Sequence, residues 1–191
     1  MVTTTLSKIA TIQVGNTFRS SLEPDPSGKV LVVQMKDVLD QEVVDPRDLC
    51  RIAFGVIKDS HEVRPGDILF RSRGTRVTCA LAPQLHLPTV LAAPLFRIRV
   101  TDPRIDPSYL TWFINQPGRK HMESRAEGSD LKMISVQSLR DLEVIVPSMT
   151  RQKKIVELAS LVREEARLMQ AISNKRTELV TSCLARALQE K

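Results

Sequence analysis

No glycine or proline occurs between Met149 and Lys191. Through this stretch apolar residues recur at helical spacing: Ile155, Leu158, Val162, Met169, Ile172, Leu179 and Cys183. Pro147 and Ser148 end the preceding segment, and Thr150 is the expected cap. At about 1.5 Å rise per residue, the predicted helix is roughly 60 Å long, about twice the width of a small domain. Its apolar stripe is too long to be buried against one such domain, so the sequence predicts a second helix as partner. With Ile155 as a and Leu158 as d, the seam continues through Val162, Glu165, Met169, Ile172, Arg176, Leu179, Cys183 and Arg186. Glu165, Arg176 and Arg186 interrupt it, while Leu161, Ala166, Leu168, Val180, Leu184 and Leu188 widen the stripe. That breadth fits packing against more than one neighbour, a mate's helix and a partner subunit. The alternative is a helix folded back on its own domain.

Residues 1–148 read as a globular domain of irregular mixed α/β character, and residues 149–191 as the helix. Lys29–Met35 and Leu142–Val146 are β-type runs. Arg64-Pro65-Gly66-Asp67 is a tight turn, with Asp67 bonding turn amides, and it leads into a strand from Ile68 to Phe70 that Gly74 breaks or bends. Leu95–Val100 alternates apolar and basic residues, placing Arg97 and Arg99 on one face of a half-buried strand. Asp106 caps a helix with Pro107 at its first position and Tyr109, Leu110, Trp112 and Phe113 on its apolar face. A second short helix is predicted over Arg119–Glu127, and Ser135 caps a turn running to Leu139. Without a regular βαβ alternation, a doubly wound sheet is not predicted.

The net charge of +6 is unevenly spread. Residues 151–191 carry 9 Lys and Arg against 5 Asp and Glu, whereas residues 1–150 carry 19 against 17. The globular part is therefore not basic throughout. Between Asp67 and Asp102, however, it has no acidic residue and five arginines: Arg71, Arg73, Arg76, Arg97 and Arg99. A local basic surface and a run of solvated strand residues are equal readings of that window. Cys50, Cys79 and Cys183 fit neither a metal nor a disulfide spacing, which points to a reducing cytoplasm. His61, His86 and His121 are scattered, and no phosphate-binding or nucleophile motif occurs, so catalysis is not expected and no cofactor is called for.

Several phrases together resemble one family. They are Leu6-Ser7-Lys8-Ile9-Ala10 with Val14-Gly15-Asn16-Thr17, then Val63-Arg64-Pro65-Gly66-Asp67-Ile68-Leu69-Phe70-Arg71-Ser72-Arg73-Gly74, then Tyr109-Leu110-Thr111-Trp112-Phe113-Ile114. Gly128-Ser129 with Ile134-Ser135 and Leu139 follows, and last comes Val144-Ile145-Val146-Pro147 with Gln152 and Ile155. In this order the chain resembles a half-length specificity (S) subunit of type I restriction–modification systems. The resemblance implies one target-recognition domain and one conserved helix, where the family's typical member has two of each, packed antiparallel. It also implies that two copies associate through residues 150–190 and read a bipartite, palindromic DNA site. The partners implied are double-stranded DNA, a methyltransferase subunit that uses S-adenosylmethionine, and a translocating nuclease.

The expected DNA contacts follow from this. Arg71, Arg73 and Arg76 come after the turn, and in an alternating strand Arg71 and Arg73 share a face; arginine bonds guanine in the major groove or grips phosphate. Gly74 lets backbone approach a phosphate. Asn16, Thr17, Arg19 and Ser20 form a polar loop, and Lys36, Lys58 and Lys132 are further phosphate contacts. For Gly74 the alternative is a bulge or turn, and for the others an ordinary solvated residue. The leading reading is a non-catalytic DNA-sequence reader. The second is a coiled-coil adaptor whose head binds protein rather than DNA.

Overall fold

In a computed structural model the chain is described over residues 2–18, 22–38, 43–55, 57–74, 77–126 and 132–188. In chain order, β1 (Val2–Thr5) passes through a one-turn helix, α1 (Leu6–Ile9), into β2 (Ala10–Val14). Next come β3 (Val30–Val33), β4 (Cys50–Ile52), β5 (Ile68–Arg71), β6 (Arg73–Gly74), β7 (Thr78–Leu81), β8 (Thr89–Leu91) and β9 (Leu95–Val100). Helices α2 (Pro107–Asn115) and α3 (Pro117–Ser124) precede β10 (Lys132–Met133), α4 (Val136–Arg140), β11 (Glu143–Val146) and the long α5 (Met149–Ala187). The expected mixed α/β domain followed by a long helix is what the structure contains.

The largest sheet runs β2-β9-β5-β7, antiparallel throughout, and a second runs β4-β3-β8. Every residue of β3 is buried, so it reads as a continuous apolar run rather than an alternation. Leu31 and Val33 pack with Leu69, Ala80 and Leu95 of the larger sheet, while Val30 and Val32 pack with Ile52 and Val90 and with the partly buried Phe18, Leu22 and Ile57. The small sheet is thus covered on both faces. β1 pairs with β11, joining the start of the chain to the strand that precedes the long helix.

Local chemistry accounts for the helix ends. Asp106 accepts from the amides of Ser108 and Tyr109 with Pro107 at the first helical position, as the sequence predicts, and Tyr109, Leu110 and Phe113 are buried. The Ser135 side chain accepts from Ser138. The second short helix covers Pro117–Ser124 instead of starting at Arg119, because proline at the first turn forfeits no hydrogen bond. Thr150 is not the cap of α5. The helix already begins at Met149, and the amides of Arg151 and Gln152 donate to the Ser148 carbonyl. Gln152 is fully buried: its Nε2 donates to the Arg104 and Pro147 carbonyls at 2.8 and 2.9 Å, and its Oε1 accepts from the Asp106 amide at 2.9 Å. One side chain thereby ties the first turn of α5 to the start of α2.

Asn115 performs a similar service for β7, the last strand of the larger sheet. It accepts from the Cys79 amide at 2.9 Å and donates to the Cys79 carbonyl at 2.8 Å, satisfying edge groups that would otherwise offer a pairing template. Cys79 is fully buried, and burial pushes its thiol pKa up. Cys183 is exposed. Brief treatment of the native chain with a maleimide is therefore expected to label Cys183 and spare Cys79, with Cys79 reacting only in denaturant; peptide mass spectrometry reads the difference.

The chain divides into two compact units, Met1–Lys153 and Lys154–Lys191. The second is one continuous helix to Ala187, and its stripe is exposed: Leu158, Val162, Met169, Ile172, Leu179 and Cys183 all face solvent, with only Ile155 half-buried. No described helix is long and apolar enough to cross a membrane.

Candidate nucleic-acid interface

The arginines expected to form a basic surface separate into different environments. β9 does place Arg97 and Arg99 on one face, as its alternation predicts, but both turn inward. Arg99 donates through Nε and Nη2 to the two carboxylate oxygens of Asp67, each at 2.7 Å, and Arg97 Nε lies 4.0 Å from the same carboxylate. Both guanidinium groups also donate to the Glu62 carbonyl, at 2.7 and 3.0 Å. Asp67 is 2% exposed and accepts from the Arg64 amide, the expected turn bond, with Gly66 at a φ of +83°. These two arginines are structural and drop out of the basic window. Their pKa values shift in opposite directions: the hydrogen bonds that Arg99 donates to Asp67 raise its own, whereas burial, and then repulsion from Arg99, lowers that of Arg97. The bidentate geometry at Arg99 makes it the true partner of Asp67.

Arg71 and Arg73 do not share one alternating strand. β5 ends at Arg71, and Ser72 bends the chain, its hydroxyl donating to the Pro94 carbonyl. The half-buried Arg71 reaches the Val38 carbonyl at 3.4 Å. Arg73 is exposed, with Nε 3.3 Å from the Met133 sulfur. Across the β6–β10 ribbon Lys132 pairs with Gly74 and Met133 with Arg73, so three positions expected to meet DNA occur on one two-stranded ribbon. Gly74 has a φ of +147°, a conformation that L side chains rarely adopt. Arg19, Ser20 and Arg76, also expected as contacts, lie outside the described residues, as does the side chain of Lys132.

Asn16 and Lys58, far apart in sequence, are brought to one small cavity lined by Asn16, Phe54, Ile57, Lys58 and His61. Close packing sets the position of Asn16. A Cβ on Gly15 would lie 2.8 Å from the Ala92 carbonyl carbon, so only glycine lets the loop meet the corner between β8 and β9. There the Asn16 amide donates to Leu91 and its carbonyl accepts from Ala93. Lys58 stands before a short 3-10 turn, Asp59–His61, whose far side is held where Glu62 bridges to Val90 and its carbonyl receives Arg97 and Arg99. Thr17 and Lys58 are exposed. The Asn16 loop touches Leu91–Ala93 and the base of the Arg73 ribbon touches Pro94, so both are anchored on the same corner. Lys36 is exposed beside Asp37 and lines a separate groove with Gln34, Cys50 and Arg51.

Phe54, 40% exposed and edge-on to Phe18 at 5.6 Å between ring centroids, was not legible in the sequence as a surface residue. His61 was likewise missed; its Nδ1 is buried with no hydrogen-bond partner among the described residues. Neither sits in a periodic segment, and their proximity to Asn16 depends on the sheet register. Chemically the arrangement offers an amide for base edges, cations for phosphate and an exposed aromatic ring. Among the described residues no cluster of His, Cys, Asp and Glu is placed to hold a metal.

No family model and no curated protein matches the chain. Solved structures do. A structure of type I restriction–modification complex assembly and conformational transition matches at a TM-score of 0.67 and 19% identity, over 93% of this chain and 42% of that one. The HsdS subunit of Thermoanaerobacter tengcongensis matches at 0.65 and 18%, over 89% and 39%. The type I restriction–modification S subunit of M. genitalium matches at 0.55 and 14%, over 85% and 39%. The chain therefore has the fold of these S subunits and spans about two-fifths of the length of the chains it matches.

Proposed function

We propose that the chain is a non-catalytic, sequence-specific DNA-binding specificity subunit of a type I restriction–modification system. Residues 1–148 act as the target-recognition domain and residues 149–191 as a spacer and dimerisation helix. Two copies associate through the stripe of Ile155, Leu158, Val162, Met169, Ile172, Leu179 and Cys183, and the pair reads two inverted half-sites. A methyltransferase subunit, using S-adenosylmethionine, and a translocating nuclease carry the chemistry. The observation that carries this reading is the fold shared with S subunits along most of the chain, together with an exposed apolar stripe on a helix of about 60 Å.

On this reading DNA meets Asn16, Thr17 and Lys58 on one side of the β8–β9 corner and the Arg73–Gly74 and Lys132 ribbon on the other. Arg19, Ser20 and Arg76 are further DNA contacts on this reading. Lys36 is a peripheral phosphate contact, and Arg71 lies at the base of the ribbon. Selection of bound duplexes from a random pool, at two salt concentrations, tests the reading. The expected result is a bipartite inverted motif and an affinity that falls steeply with salt. A chain that selects no motif and ignores salt is a protein-binding adaptor instead. Within a selected site, Lys58→Ala is expected to weaken binding uniformly across sequences and to lower the salt slope by about one. Asn16→Ala is expected to relax base preference at one position, at a cost of about 1–3 kcal/mol. Titration of native and variant chains against matched and mismatched duplexes separates the two effects.

A further inference from the structure

We infer that two copies pair through α5 in one antiparallel register, with Glu165 of each helix facing Arg176 of the other. The inference rests on the self-association proposed above and specifies its geometry. The seam contains two charges of opposite sign in its middle, Glu165 at a d position and Arg176 at an a position, both on exposed parts of the helix. In an antiparallel pair, a positions of one helix meet d positions of the other. Placing Glu165 against Arg176 then fixes every other layer. Met169 meets Ile172, Val162 meets Leu179, Leu158 meets Cys183, and Ile155 meets Arg186 at the end of the overlap, where a long arginine reaches solvent with its stem on the apolar surface.

Alternative pairings do worse by the same accounting. A shift of one heptad one way sets Arg176 against Leu158 and Glu165 against Met169. A shift the other way sets Arg176 against Ile172 and Glu165 against Cys183. Either buries two charges against apolar side chains, a costly arrangement. A parallel pair in register sets Glu165 on Glu165 and Arg176 on Arg176, like charges in the seam. Only the inferred register matches apolar with apolar and acid with base through the four central kinds of layer. Between Ile155 and Arg186 the flanking e and g positions carry a single charge, Lys175, so no flanking repulsion opposes it. A polar pair within an apolar seam is a known way to fix register at some cost in stability. The register sets Lys154 of the two copies about 50 Å apart along the helix axis.

Sedimentation equilibrium on the full chain tests this. Glu165→Arg alone sets two arginines against each other, and Arg176→Glu alone sets two glutamates. Each is expected to weaken self-association by at least about tenfold. The double variant, Glu165→Arg with Arg176→Glu, restores the attraction and is expected to associate like the native chain, and mixing the two single variants is expected to give heterodimers. Circular dichroism confirms that each variant keeps its helix. Oxidation gives an independent readout in a Cys50→Ser background: Cys183 faces Leu158, so the chain is expected not to cross-link through Cys183, whereas Leu158→Cys introduces a disulfide-linked dimer. A Cys183–Cys183 cross-link without the Leu158 substitution, or dimers indifferent to both single reversals, overturns the register while leaving self-association intact. A chain that stays monomeric throughout overturns the register together with the association it rests on.

Discussion

Replacing Asp67 with alanine is expected to destabilise the Met1–Lys153 unit by about 3–5 kcal/mol, measured as a loss in the urea unfolding midpoint at constant slope. The carboxylate is 2% exposed and forms ion pairs with both Arg97 and Arg99. It also closes the turn by accepting from the Arg64 amide at 2.7 Å. Its removal leaves the buried Arg97 and the half-buried Arg99 in mutual repulsion without the carboxylate they share, and opens the turn as well. Arg97→Met is the informative contrast. Arg97 is 7% exposed, and its Nε has no hydrogen-bond partner among the described residues. Arg99 continues to donate to the Glu62 carbonyl in its absence. An apolar side chain of similar length is therefore expected to cost little or to stabilise. If both substitutions destabilise equally, the cluster acts through packing and not through charge.

Substituting Val162, Met169, Ile172 and Leu179 together with glutamine is expected to abolish self-association at micromolar concentration, seen as a halved mass by light scattering. These side chains are 56–65% exposed, so the substitutions remove no packing within the second unit. In the pair they supply four layers on two helices. At about 1.5 kcal/mol for each newly buried side chain, half-realised, their loss amounts to roughly four orders of magnitude in association. The thermal midpoint of the globular unit is expected to stay unchanged. DNA binding is expected to fall to that of a single half-site, with the bipartite preference lost. A variant that keeps native mass and native site preference would remove the helix from the recognition scheme.

Local chemistry made much of the fold legible. The Pro-Gly turn before β5, the Asp106 cap with Pro107 and the Ser135 cap are decided by neighbours within a few residues and form as read, and Leu95–Val100 is a strand with its two arginines on one face, although it is buried from Leu95 to Ile98 and not half-buried. Long-range contacts decide the rest. Arg97 and Arg99 looked like surface cations because a sequence records their charge and not the carboxylate that Asp67 brings from another strand. Arg71 and Arg73 looked like a pair because the Ser72 bend depends on a contact with Pro94, distant in sequence.

The candidate interface divides along the same line. Arg73, Gly74 and Lys132 are each legible in the sequence as polar or flexible residues, but their union on a ribbon depends on β6–β10 register. Asn16 and Lys58 meet because Gly15 admits close approach to Ala92 and because Glu62 is clamped by Arg97 and Arg99, both long-range events. The sequence alone determined the long helix, its unpaired apolar seam and the placement of opposite charges along it, since helical periodicity is a property of the chain taken in order. Which polar residues share a surface was decided only by the tertiary structure, because sheet pairing and buried ion pairs join residues whose separation along the chain carries no information about their distance in space.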